Sequence, residues 1–280
     1  MRDLIIGCAT NYDWSKLKYW VNSINQSGFT GEKVLVLMNC DKDTCLKVTE
    51  AGFKIIGFEQ DENGNLTHSP KFMVHVERFL HIYNYIRLNS EKFRYVITTD
   101  VRDVVFQKNP SDWIDQSIGD KNLVFSSESI LYKDEPWGNQ NLMETYGPFI
   151  HDIFKNNEIF NVGVLAGHSD AIRDLCLNIF VSSVHAPIPI CDQSTFNFLI
   201  SQKPYTETSL YARSEYGWAS QLGTTVDPSK IEQFAPLLLE PSPTMNDNGE
   251  VVTSTGKVFT IAHQYDRIDS WKEIIEKKYG

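Results

Sequence analysis

The sequence predicts an α/β fold in a single domain, with helices on both faces of a mostly parallel sheet. Three observations carry that prediction. Apolar β-branched runs alternate with amphipathic segments in a βαβαβ order from Asp3 to Phe58, the pattern of a parallel sheet with helical crossovers. The 280 residues, 41% hydrophobic and 22% charged, suffice for one substantial core. No repeat, low-complexity tract or clear linker divides the chain.

Asp3 to Thr10, centred on Leu-Ile-Ile-Gly-Cys-Ala, reads as the first buried strand. Ala9-Thr10-Asn11-Tyr12-Asp13-Trp14 is a polar turn. Leu17, Trp20, Val21 and Ile24 then fall three and four apart and predict a helix from Ser15 to Gln26, ended by Ser27-Gly28. Lys33 to Met38 is a second strand, Asp43 to Ala51 a short helix closed by Gly52, and Phe53 to Phe58 a third strand. Asp61 to Pro70 reads as a loop. Phe72 to Leu88 is a long helix whose apolar stripe leaves Lys71 and Arg78 off it, either solvated or facing a cleft.

Phe93-Arg-Tyr-Val-Ile-Thr-Thr is a core strand ending abruptly at Asp100-Val-Arg-Asp103, after which a short apolar run is stopped by Asn109-Pro110. Asn122 to Ser127 is a strand that ends at Glu128. Residues 130 to 150, with Trp137-Gly138-Asn139 and Gly147-Pro148, read as irregular, a loop or small helices lining a pocket. Ile159 to Gly167 is a strand with Gly163 inside it, which marks a bulge or a close approach to the backbone. A helix follows from Ser169 or Asp170 to about Ser182. The loop 186 to 191 delivers Asp192-Gln193 to a helix from Ser194 to Ser201. Residues 203 to 257 are the least readable. Lys257 to His263 is a last strand and Trp271 to Lys278 a closing helix.

The net charge of −10 argues against a nucleic-acid partner, which needs a basic face. It leaves room for a nucleotide held through a divalent cation. Five cysteines without a CxxC spacing predict reduced, mostly buried thiols and no disulfide framework. The amino terminus enters a strand directly, without a signal-peptide pattern, and no apolar run reaches the roughly 18 residues of a membrane span. A soluble, cytoplasmic protein is the expectation. The first turn lacks GxGxxG and no GxxxxGK[ST] occurs, which argues against dinucleotide oxidoreductases and P-loop enzymes.

Two carboxylates at the carboxyl end of a core strand cost folding energy unless a cation sits between them, and in open α/β sheets ligands bind at that end. Asp100 and Asp103 therefore read as ligands of Mg²⁺ or Mn²⁺. In the plain alternative Asp100 caps the strand and Asp103 pairs with Arg102 or Lys108. Asp192 has a plain reading as a helix cap, and His263 as a satisfied core histidine. His75, His81, His151, His168 and His185 read as surface or structural residues.

With these residues in order, the chain resembles the metal-dependent, nucleotide-sugar glycosyltransferases of the GT-A fold, especially the glycogenin-like and related branches. The resemblance covers nearly the whole length. It rests on Ala9-Thr10-Asn11-Tyr12-Asp13-Trp14, Asp100-Val-Arg-Asp103, Asn161-Val-Gly163, Asp192-Gln193 and Thr260-Ile-Ala-His263. It implies a Rossmann-like, mixed and mostly parallel sheet, with a nucleotide-binding half at 1–125 and an acceptor-binding half at 126–280.

The resemblance further implies a UDP-sugar donor contacted by Ala9, Thr10, Asn11, Trp14, Lys71, Arg78, Asp100, Asn161, Gly163 and Gln193, with Tyr12 or Trp14 on the base. The metal ligands would be Asp103, His263 and Asp100. Because Asp-x-x-Asp departs from the family's Asp-x-Asp, Asp103 is the better direct ligand, and Asp100 reaches ribose or a metal-bound water. Asp192 or Glu128 would serve as the catalytic carboxylate. A looser similarity to virus-encoded xylosyltransferases of algal viruses would imply UDP-xylose, a fucosyl residue of a glycan as acceptor, and inversion. The competing readings are a sugar-phosphate nucleotidyltransferase and a carbohydrate- or nucleotide-binding protein without turnover.

Overall fold

Leu4, Ile5 and Ile6 are fully buried because they lie on strand β1 (Arg2–Thr10), which is covered on both faces. The computed structural model describes residues Met1–Gly280. Helix α1 (Trp14–Gln26) starts where the Asp13 side chain accepts the Lys16 N–H, and it buries Leu17, Trp20, Val21 and Ile24. β2 (Glu32–Met38), α2 (Lys42–Glu50) and β3 (Lys54–Ile56) complete the expected βαβαβ unit.

Next come a small hairpin, β4 (Glu59–Gln60) and β5 (Leu66–Thr67), and helix α3 (Val74–Leu88). β6 (Phe93–Thr99), β7 (Val104–Phe106), α4 (Pro110–Ser117), β8 (Leu123–Leu131), α5 (Pro136–Phe154), β9 (Glu158–His168), α6 (Ser169–Ser183) and α7 (Asp192–Ile200) follow. The remaining chain holds α8 (Tyr205–Thr208), β10 (Ser209–Ala212), β11 (Ala219–Gln221), α9 (Leu222–Thr225), α10 (Ile231–Phe234), β12 (Thr244–Met245), β13 (Val251–Val252), β14 (Ile261–His263) and α11 (Asp269–Tyr279).

The central sheet has seven strands in the order β10-β8-β9-β6-β1-β2-β3. β3, β2, β1 and β6 run parallel, β9 is antiparallel to β6 and β8, and β10 is parallel to β8. One face packs on α1, α2 and α4 through Trp20, Val48 and Ile114. The other packs on α3, α6 and α7 through Phe79, Leu175 and Phe196. No helix is long and apolar enough to cross a membrane. All five cysteines carry free thiols, as expected.

Four expectations need correction. Residues 136 to 154 form one long helix rather than a loop or small helices: Glu135 accepts the N–H groups of Trp137 and Gly138, Pro136 takes the first turn, and the irregularity is confined to a kink at Gly147, where φ is 74°. The strand expected to end at Glu128 continues to Leu131, interrupted by Ser129 at φ 57°. Only three residues of the third strand pair, and the loop expected at 61–70 contains part of the small hairpin.

A second sheet, β11-β14-β7, decides the position of the late histidine. β14 runs antiparallel to β7 with His263 opposite Val104, and parallel to β11 with His263 opposite Gln221. This register sets His263 beside Asp103 across 160 positions of sequence, and Gln221 behind it.

Candidate active site

Asp100 leaves the carboxyl end of β6, and its N–H donates to the Gly163 carbonyl on neighbouring β9 (2.7 Å). Its carboxylate pairs with Arg78 of α3. A second Arg78 nitrogen lies 3.1 Å from Asp192 Oδ2 at the start of α7. One guanidinium therefore joins two acids delivered by different elements. Burial works against the charge on Asp100, but Arg78 and His263 outweigh it and hold the carboxyl well below its usual range. At Asp192 burial wins over Arg78, and the pKa is raised.

His263 Nε2 lies 3.6 Å from Asp100 Oδ2 and 3.7 Å from Asp103 Oδ1. His263 and Asp103 are buried. Arg102 and Arg267 flank Asp103 from the outer side at 3.2 and 3.6 Å. On its other nitrogen, His263 Nδ1 donates to Gln221 Oε1 at 2.7 Å, while Gln221 Nε2 donates to Ser126 Oγ. An amide oxygen only accepts, so the proton of the neutral ring sits on Nδ1 and the Nε2 lone pair points at two carboxylates. Burial disfavours a charged ring, but the two acids prevail and raise its pKa.

Those three donor atoms, two oxygens and a nitrogen, lie within 4.8 Å of one another. They fit a divalent cation, which would replace the proton between them. Gly163 keeps the space clear, since a Cβ there would lie 2.6 Å from His263 Cε1 and 2.8 Å from Asp100 Oδ2.

Two cavities meet at this cluster. A narrower one, about 290 Å³, is lined by Ala9, Thr10, Tyr12, Arg78, Arg102 and Asp103 among others. A wider one, about 400 Å³, is lined by Glu128, Trp137, Asn161, Asp192, Gln193 and Lys230 among others. Asp100, Arg78 and His263 face both. In the wider cavity Glu128 accepts from Asn161 Nδ2 at 2.7 Å and from Gln193 Nε2 at 3.1 Å. Burial raises the Glu128 pKa to about 7 despite those bonds.

No protein-family model and no curated protein matches the chain by sequence. Solved structures do match over 98% of its length. The bifunctional glycosyltransferase WbbM, in its apo structure, superposes with a TM-score of 0.58 at 9% identity, and the chain spans 49% of that protein. The galactosyltransferase LgtC, in complex with donor and acceptor sugar analogues, superposes with a TM-score of 0.54 at 13% identity, and 95% of that chain is covered. The chain has the GT-A glycosyltransferase fold.

On this GT-A frame most residues singled out in the sequence converge. Ala9, Thr10, Arg78, Asp100, Asp103 and His263 line the narrower cavity, and Glu128, Asn161, Gly163, Asp192 and Gln193 the wider one. Asn11, Trp14 and Lys71 line neither. Asn11 is exposed with φ 56°. Trp14 packs on the core, and Lys71 lies in a separate surface groove beside Phe72 and Pro187. Trp218 is buried against Trp113 and is not available to a sugar. His75, read as surface or structural, is exposed and lines both cavities.

Arg102, Arg267, Lys230 and Gln221 were not singled out as site residues. Arg102 and Arg267 each adjoin an aspartate in sequence, a weak signal. Gln221 and Lys230 come from the unreadable stretch, and only the β11–β14 pairing reveals the first of them.

Proposed function

We propose that the chain is a metal-dependent glycosyltransferase that moves a sugar from a UDP-sugar donor onto a saccharide hydroxyl. The observation that carries this reading is the His263 Nε2 lone pair directed at Asp100 and Asp103 where two cavities join. A bound Mn²⁺ or Mg²⁺ would offset the charge that grows on the departing diphosphate.

The chain's own groups do the rest. Arg78, Arg102 and Arg267 supply positive charge around the two aspartates, so a diphosphate enters a compensated field. Tyr12, lining the narrower cavity, offers a ring face to the base. Asn161 orients Glu128, whose pKa near 7 suits it to take a proton from an acceptor hydroxyl at neutral pH. Asp192, tied to Arg78, would steady the transferred sugar. Trp137, half-exposed at the wider cavity, is suited to an acceptor ring. Base-assisted attack corresponds to inversion. The similarity to viral xylosyltransferases makes UDP-xylose the first donor to try and a fucosyl glycan the first acceptor.

The test is a melting-temperature panel with UDP-xylose, UDP-glucose, UDP-galactose and UDP-N-acetylglucosamine, with and without Mn²⁺. A ligand bound by the native state alone raises the transition. A rise with one donor, enlarged by metal, is the expected result. No rise with any nucleotide would remove the reading.

A further inference from the structure

A second group of metal-competent side chains lies on the far edge of the amino-terminal half, at His68, Glu77 and His81, and it plays no part in the chemistry above. Their donor atoms also lie within 4.8 Å of one another. Glu77 sits in the first turn of α3 and His81 one turn later, so both project from the same helix face. His68 follows β5 and is held by its backbone N–H, which donates to Asn39 Oδ1 at 2.8 Å.

The burial makes this trio unusual. The Glu77 side chain is 6% exposed, yet the only basic groups against it are the two imidazoles: His68 Nε2 at 2.7 Å and His81 Nε2 at 3.3 Å from Oε1. No lysine or arginine pairs with it. A buried carboxylate without a permanent cation is costly. His81 Nε2 is itself buried without a hydrogen-bond partner of sound geometry. The Phe58 ring lies against both imidazoles, with centroids 4.5 and 4.4 Å away, and shields them from solvent. The second Glu77 oxygen accepts the Phe72 N–H at 3.2 Å, which orients the carboxylate.

We propose that His68, Glu77 and His81 form a transition-metal site of zinc type, with water in the fourth position. Ligand atoms about 2.1 Å from zinc and a tetrahedral angle apart are about 3.4 Å from each other. The 3.3 Å separation of His81 and Glu77 already meets that distance, and His68, at 2.7 Å from Glu77, needs to withdraw by about 0.7 Å. Two imidazoles and one carboxylate favour Zn²⁺ over Mg²⁺, whereas a site with two carboxylates and phosphates suits hard cations. Bound metal would staple the β4–β5 hairpin to α3, the helix that carries Arg78 to the active site.

The experiment uses tag-free, chelator-stripped protein dialysed against limiting Zn²⁺ in excess Mg²⁺, with retained metal measured by mass spectrometry. Wild type and Asp103→Ala should each keep one zinc per chain, and zinc should raise the melting temperature of both. His81→Asn and His68→Asn should each lose the retained zinc and the thermal response. His68 lies outside the helices, so its variant decides the matter even if His81→Asn fails to fold. Three results would overturn the proposal: no zinc retained by wild type, retention by either histidine variant that folds, or loss in Asp103→Ala.

Discussion

Gln221 Oε1 accepts the Nδ1–H of His263 across 2.7 Å, and this bond dictates which imidazole nitrogen faces Asp100 and Asp103. Gln221→Leu removes the acceptor while keeping similar bulk. Losing such an outer partner typically weakens a metal site by about 10–100-fold. Mn²⁺ titration should show a weakening in that range, and unchanged Mn²⁺ affinity would dismiss the tautomer argument.

Gly163 matters for the space it leaves. Its φ is not left-handed, so Gly163→Ala brings no left-handed backbone strain, only a methyl against His263 Cε1, Asn161 Oδ1 and Asp100 Oδ2. The variant should keep a melting temperature within a few degrees of wild type and lose metal-enhanced UDP-sugar binding. If thermal shifts with and without Mn²⁺ match wild type, the cation does not lie where that Cβ would go.

Glu128 makes stability depend on pH in a defined direction. Its pKa is raised to about 7 in the folded chain, so the native state binds a proton more tightly than the unfolded one. Stability from this group is full below the unfolded value of about 4.5 and declines as pH rises through about 7. Glu128→Gln, with the same shape and no charge, should melt higher than wild type at pH 8 and about equally at pH 4. Identical curves at both pH values would remove the buried-acid assignment. Under the proposed chemistry the same substitution should cut turnover about 10²–10⁴-fold with donor affinity unchanged.

Asp192→Asn leaves the cap position of α7 untouched, because the N-cap residue is Cys191 and Asp192 is the first residue inside the helix. It leaves Arg78 paired with Asp100 alone. Turnover should fall far more than UDP-sugar affinity, measured by steady-state kinetics beside calorimetry. Near-wild-type turnover would reduce Asp192 to an electrostatic partner of Arg78.

The βαβαβ start, the strand ending at Asp100 and the helix opening at Asp192 were legible because each is local: a β-branched run, a helical stripe, a turn residue. Paired acids at a strand end also announce themselves, since burying them uncompensated is costly. The same reasoning misread 130–150. Gly147 and Pro148 look like loop residues in isolation, while the helix around them is held by Glu135 and by contacts of Leu142 and Phe154 with Ile159 and Phe234.

Sequence alone thus determined the amino-terminal βαβαβ succession, the free thiols, and the identity of Asp100, Asp103, Asp192 and His263 as candidates. It could not bring them together. His263 meets Asp103 only because β14 pairs with β7, and Gln221 reaches His263 only because β11 pairs with β14. Lys71 and Arg78, indistinguishable as cations off one helical stripe, part company for the same reason: Arg78 points at Asp100 and Asp192, and Lys71 into another groove. Hydrophobic period reports which face of an element is buried. Which charged groups then meet is set by strand pairing and helix packing between segments far apart in the chain, and those are decided by the fold as a whole.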